Sequence, residues 1–200
     1  MVRRTQTQRA ATTREALLAA ARQLFTERGY DDVGTEEIVR AAGVTRGALY
    51  HHYGDKASLL EAVYNRIEAE STERVARIVL DSDLHSPLAA MKAGIAAFLE
   101  ECEKPELRQV ALHDAPAVLG WERWREIGLR FGFGLVQATL QAAIEAGQIE
   151  AQPVGPLAHL LLGAIDEGAM LVARAADDGQ TRAQVGASVA RFLGALRTQG

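Results

Sequence analysis

Apolar residues recur along most of this chain at intervals of three and four, the spacing that places them on one face of an α-helix. Leu17, Ala21, Leu24 and Phe25 form the first stripe, and Gly29 ends it. Thr12 and Glu15 stand at capping-box spacing, which predicts a helix starting near Thr12 or Thr13. The nine residues ahead of it are polar and basic and lack periodicity, so they read as an arm carrying Arg3, Arg4 and Arg9. A short second stripe follows in Ile38, Val39 and Ala42, with Thr35 in the N-cap position. Gly43, free to take positive φ, and the apolar plug Val44 make a turn, after which Thr45 caps a third helix running to about His52. Tyr30 and Val33 close a small core with Phe25 and Ile38, and Tyr53 joins it.

After the break and cap at Gly54 and Asp55, a longer stripe runs from Lys56 to about Asp81 through Leu60, Val63, Ile67, Val75, Ile78 and Val79. That helix exceeds what its own module needs, so it reads as a rigid connector able to transmit a shift. The polar segment from Asp81 to Pro87 is a linker with a proline suited to a helix start. Leu88 to Glu103 and Pro105 to Asp114 read as helices, Pro116 to Gly120 as a loop, and Trp121 to Ala146 as a long helix stopped by Gly147. Its apolar face is Trp124, Gly128, Phe131, Leu135, Ala138 and Ala142. Gly128, Gly132 and Gly134 inside it each cost about 1 kcal/mol relative to alanine, so something must offset them. Close approach of a neighbouring helix is the favoured explanation, and room for a ligand beside Phe131 and Phe133 is the other.

Pro156 to Ala176 and Thr181 to Arg197 are the last two helices, separated by a turn at Asp177-Asp178-Gly179. Leu157, Leu160, Leu161, Ala164, Gly168, Leu171 and Val172 on one, with Val185, Val189, Phe192, Leu193 and Leu196 on the other, are apolar on more than one face. Such a pair fits a four-helix interface with a second copy, and Ala164-x-x-x-Gly168 suits close helix approach. Strand-type alternation is absent from the pattern. The fold class expected is all-α: a three-helix module with its basic arm over residues 1–55, then a helical domain over 56–200 that opens with the connector 56–81 and ends in the pair suited to dimerisation.

The third helix presents an unusual outward set. With Ala48 and Leu49 turned inward, Thr45, Arg46, Gly47, Tyr50 and His51 point out, and most of them are hydrogen-bond donors. A helix about 10–12 Å across fits a major groove about 12 Å wide, where donors reach base edges and phosphates. This is a helix-turn-helix signature. The run from Thr13 to Val63, TREALLAAARQLFTERGYDDVGTEEIVRAAGVTRGALYHHYGDKASLLEAV, resembles the N-terminal domain of the TetR family of transcriptional regulators, over about a quarter of the chain.

The resemblance implies DNA contact at Thr35, Thr45, Arg46, Gly47, Tyr50, His51, His52 and Lys56. Arg46 would read guanine, Gly47 would let the backbone approach a base, and the others would hold phosphates. It also implies a homodimer on palindromic operator DNA, paired through the two C-terminal helices and acting most simply as a repressor released by a largely apolar small molecule. A DNA-binding regulator gated by a partner protein, or an activator with no small-molecule site, is the alternative. Val39 departs from the family pattern, which often has alanine there.

Composition changes this picture little. At 48% hydrophobic and 24% charged, the chain can build a full core, and the net charge of −4 gives no general affinity for nucleic acid. The distribution matters more: residues 1–56 hold nine Lys/Arg against seven Asp/Glu, while the remainder holds 13 against 19, so positive charge gathers at the reader. Cys102 is the single cysteine and has no disulfide partner within the chain. Thr5, Gln6 and Thr7 stand where a signal peptide needs an apolar run, and Leu157 to Leu171 is interrupted by His159, Asp166 and Glu167. A cytoplasmic protein without membrane spans is expected.

No zinc-binding HExxH pair, phosphate-binding glycine loop or GxSxG elbow occurs, so neither catalytic residues, metal nor cofactor is expected. His113-Asp114 near Trp121 and Trp124 is the cluster that invites an enzymatic reading. It fits better as the polar part of a ligand cavity. Phe98, Val110, Trp124 and Phe131 would give that cavity its apolar wall, with His113, Asp114 and Arg125 orienting the ligand.

Overall fold

The computed structural model describes residues 6–81, 86–176 and 179–197, and those residues form helices joined by short turns. Helix α1 (Gln6–Arg28) buries Leu17, Leu18, Ala21 and Phe25 and ends at Gly29, whose φ of +82° an L side chain rarely adopts. It begins upstream of the predicted capping box. Thr12 Oγ1 instead accepts nothing at a helix end and donates back to Gln8 O at 2.8 Å, a bond available only inside a helix. Gln6 to Ala11 contains no breaker, so the helix propagates through it and Arg9 is helical, while Arg3 and Arg4 lie outside the described residues.

Helices α2 (Thr35–Ala41) and α3 (Arg46–Tyr53) close the first module by burying Ile38, Val39, Leu49 and Tyr53 against α1. Tyr53 also donates its hydroxyl to Arg14 O at 2.9 Å. Helix α4 (Lys56–Asp81) starts at Asp55, whose Oδ1 accepts the Ser58 N–H at 2.7 Å, a bond that holds the Asp55 carboxyl below its ordinary range. Its first turns, Leu59, Leu60 and Val63, pack into the module, and the rest of it runs on into a second bundle.

In that bundle, α5 (Pro87–Glu101) lies along α4 so closely that a Cβ on Gly94 would fall 2.6 Å from Val79 Cγ2. A π-helical segment, Leu107–Asp114, then runs directly into α6 (Ala115–Leu119), where a loop was predicted. The wider register is visible at Ala115, whose N–H reaches five residues back to Val110 O. Pro116 does not break the path because it sits in the first turn of α6, where its missing N–H is not needed.

Helices α7 (Trp121–Glu145), α8 (Val154–Arg174) and α9 (Gln180–Ala195) complete the fold. On α7 the buried set is Trp124, Ile127, Leu140 and Ala143, and the predicted Ala138 is exposed. On α8 the predicted pair Ala164 and Gly168 divides. Ala164 is exposed, whereas a Cβ on Gly168 would meet Val185 Cγ1 of α9 at 2.7 Å, so the close approach lies within this chain. Of the turn predicted between α8 and α9, Gly179 has φ +82°, and Asp177 and Asp178 lie outside the described residues. Contrary to the expectation above, α7 and α8 are long and apolar enough to cross a membrane by length and composition; both pack against each other in this bundle.

Candidate functional site

The α2–turn–α3 unit is built by backbone geometry. Gly43 takes φ +66°, and the Val44 N–H reaches Val39 O at 3.0 Å, so the chain reverses while Val44 plugs the core from outside. Gly34, not Thr35, is the N-cap of α2; Thr35 is its first residue, and its hydroxyl hydrogen-bonds to Tyr50. Thr45 caps α3 as expected, accepting the Ala48 N–H at 3.3 Å.

Thr45, Arg46, Gly47, Tyr50 and His51 are all exposed, Ala48 is half-buried and Leu49 turns inward. Arg46 Nη1 donates to Glu36 Oε1 at 2.9 Å and Nη2 to Tyr50 OH at 3.3 Å. These bonds raise the Arg46 pKa, through Tyr50 first, and lower that of Tyr50 through Arg46. A Cβ at Gly47 would meet nothing nearer than Thr45 Oγ1 at 3.9 Å, so this face is open to close approach. His51 and His52 stack edge to face at 5.1 Å, His52 half-buried. Lys56 is half-buried. Its Nζ donates to Tyr30 O at 2.9 Å and Val33 O at 3.0 Å and sits 3.8 Å from the Tyr30 ring centroid, bracing the loop between α1 and α2.

The second bundle holds a partly open cavity of about 90 Å³. Its wall comes from α4, α5, the π segment, α7 and α8, with Phe98, Leu112 and Trp124 among its apolar members. One end is polar: Tyr64 and Glu68 from α4, Arg125 from α7 and Asp166 from α8. Arg125 and Asp166 form an ion pair, and Arg125 also reaches His159 O at 3.5 Å. Burial pushes the Glu68 carboxyl up to about 7, aided by the nearby Asp166 charge and opposed by a bond to Tyr64. Burial likewise raises Asp166, to about 6, with Arg125 acting the other way. Tyr64 OH lies 3.4 Å from Trp124 O, and the Trp124 Nε1–H donates to Ala111 O at 2.8 Å, tying α7 to α4 and to the π segment.

Both parts are recognisable by comparison. Residues 17–63 match the family described as "Bacterial regulatory proteins, tetR family", and residues 88–196 match the "Tetracyclin repressor-like, C-terminal domain". The chain belongs to the TetR family. Among its relatives, the Transposon Tn10 TetC protein of Escherichia coli is 30% identical over 152 residues, 76% of either chain. The HTH-type transcriptional repressor BepR of Brucella suis is 39% identical over 112 residues, 54% of this chain and 51% of that one. A crystal structure of a TetR-family transcriptional regulator from Pectobacterium atrosepticum superposes with a TM-score of 0.86 at 33% identity, covering 98% of this chain and 99% of that one. This TetR-family protein is therefore a helix-turn-helix transcriptional regulator.

Within the TetR fold, the cavity residues expected from sequence separate into two groups. Phe98, Trp124 and Arg125 line the cavity. Val110, His113, Asp114 and Phe131 do not. Asp114 is buried and accepts the Tyr30 N–H at 2.8 Å, Gln109 Nε2 at 3.0 Å and a contact from His113 Nδ1 at 3.0 Å. The pair His113-Asp114 thus joins the π segment to the end of α1, and Val110 is wholly buried in the core.

The α7 glycines are also corrected. Gly128 and Gly132 line the cavity, and their added Cβ atoms would make only ordinary contacts with Tyr64 and Leu162, at 3.8 and 3.5 Å. They leave space and do not permit a close helix crossing. Glu68, Tyr64 and Asp166 were not anticipated as site residues. The available signal was the α4 stripe itself, where Tyr64, Glu68 and Thr72 interrupt an otherwise apolar row that continues at Val75 and Val79.

Proposed function

We propose that this regulator is a homodimeric repressor that binds a palindromic operator through α3 and is released when a small molecule occupies the cavity of the second bundle. The observation that carries the proposal is the position of α4. Its first turns pack into the DNA-binding module, while Tyr64, Glu68, Thr72, Val75 and Val79 of the same helix form one wall of the cavity. At about 90 Å³ the cavity is smaller than the ~300–1,000 Å³ of typical ligand sites. Anything but a very small occupant must displace a wall, and one wall is the connector to the reader.

The contact set proposed for DNA is Thr35, Thr45, Arg46, Gly47, Tyr50, His51 and His52. Lys56 stays in it through the one ammonium proton not given to Tyr30 and Val33. Dimerisation through α8 and α9 is supported by Leu160, Leu171 and Phe192, which are 68%, 49% and 44% exposed on a single chain. Leu160, Ala164 and Leu171 recur at helical spacing along one ridge of α8. A ligand that prefers badly spaced α3 helices lowers operator affinity by its preference ratio, typically worth about 1–3 kcal/mol.

The test is to recover DNA bound by the purified protein through genomic footprinting, and then to screen small molecules for release of that DNA. Release by a compound whose binding quenches Trp124 supports the reading. Retention of the DNA through every compound that enters the cavity favours control by a partner protein.

A further inference from the structure

Among the described residues, the charge lining the cavity is not balanced. Arg125 is the cation of the lining, and Asp166 already pairs with it. Glu68 is left with the Tyr64 hydroxyl as its partner, facing Asp166 across the cavity. The Cys102 thiol at the end of α5 also feels the charges of Glu68 and Asp166, and burial keeps it neutral. α5 itself contributes apolar lining, including Met91, Ile95 and Phe98. A carboxylate on the wall of a mostly apolar cavity, without a cation, is unfavourable unless something supplies one.

Resting on the reading of the cavity as the effector site, we infer that its polar end is a subsite for the ammonium group of a small apolar or aromatic amine, with Glu68 as the counter-ion. The remaining walls fit an organic body: Phe98 and Trp124 are aromatic, and most others are aliphatic. A metal ion is a poor alternative, since no group of three His, Cys, Asp or Glu able to hold one occurs among the described residues. An anionic ligand would have to displace Asp166 from Arg125 and sit beside Glu68. A neutral alcohol would gain at most a hydrogen bond.

The subsite couples ligand affinity to pH. With Glu68 near 7 in the free protein, an ammonium binds its ionised form and expels the proton. An alkylamine, like lysine, stays charged well above that range. Affinity for the amine is therefore expected to rise about tenfold from pH 6 to pH 8 as Glu68 ionises, and affinity for a neutral analogue is not.

The experiment titrates the full chain with three matched probes, 2-phenylethylamine, 2-phenylethanol and phenylacetate, by calorimetry with tryptophan fluorescence as a second readout. The amine is expected to bind at least tenfold more tightly than the alcohol at pH 8, with phenylacetate weakest. Glu68→Gln should erase the preference and its pH dependence, while leaving the alcohol within about twofold. Asp166→Asn, which frees Arg125, should shift the preference toward phenylacetate. Because Gln is nearly isosteric and uncharged, the first variant should fold. Equal binding of amine and alcohol, or a preference unchanged in Glu68→Gln, overturns the amine subsite and leaves the cavity as a ligand site. Failure of all three probes to bind at any pH overturns both.

Discussion

Glu68 occupies a position on α4 where the flanking turns carry Val63, Ile67 and Val75 in the core. Its raised pKa has a direct stability consequence. A carboxyl whose folded value lies above its unfolded value contributes fully below about 4.5, and that contribution fades as pH climbs through about 7. The free protein is therefore expected to lose stability between pH 5 and pH 8, on the order of 2 kcal/mol from this group. Thermal unfolding should find Glu68→Gln gaining on the native protein as pH rises, and a gap that stays constant with pH would refute the assignment. Arg46 makes the complementary case at the surface. Arg46→Ala should weaken specific operator binding by roughly tenfold to a hundredfold and relax one base preference, read in a salt-controlled titration. At this scale the sequence was legible where a pattern exposes residues: the outward set on α3 follows from helical spacing and the Thr45 cap. Lys56 was not legible, because its partners are the carbonyls of Tyr30 and Val33, and backbone carbonyls leave no trace in residue type.

Two elements connect the cavity to the reader. α4 does so along its length, fixed to α7 by Glu61, which accepts from Arg123 Nε at 3.0 Å and is held below its ordinary pKa by that guanidinium. The π segment does so across the fold. Leu112 lines the cavity two residues before Asp114, which accepts the Tyr30 N–H just beyond the end of α1. Arg22 of α1 adds a second tie, bridging Glu70 of α4 and Glu106 at 2.7 Å each. Asp114→Ala is expected to destabilise the junction by about 1–3 kcal/mol, since it leaves the Tyr30 N–H without its partner. Hydrogen exchange at Tyr30 should accelerate, and unchanged exchange would show that the tie is not structural. Helix periodicity placed α4 at its observed bounds and placed α7 and α8 closely. It could not foresee the π segment, because apolar spacing does not separate the i to i−5 register seen at Val110 and Ala115 from an α-helical one. The α7 glycines show the same limit: their cost was readable, whereas the space beside Gly128 and Gly132 depends on which side chains face them.

At the scale of the whole molecule, one copy of α3 offers few base-reading groups, chiefly Arg46 and the backbone at Gly47. On the proposed contact set, specificity requires a second copy at a set distance, and the apolar ridge on α8 with Phe192 on α9 is the surface proposed for it. Phe192→Glu combined with Leu160→Glu should convert a sedimenting dimer to a monomer at micromolar concentration, with helix content unchanged. A pair of charges that leaves the dimer intact would place the interface elsewhere. Paired reading helices must meet successive major grooves about 34–36 Å apart, which corresponds to half-site centres about 10–10.5 base pairs apart. The decisive measurement is therefore a stoichiometric titration of the footprinted operator, with the size of the complex determined in solution. An even number of chains on a dyad-symmetric site with that half-site spacing is expected, and a single chain on a site without dyad symmetry would contradict it.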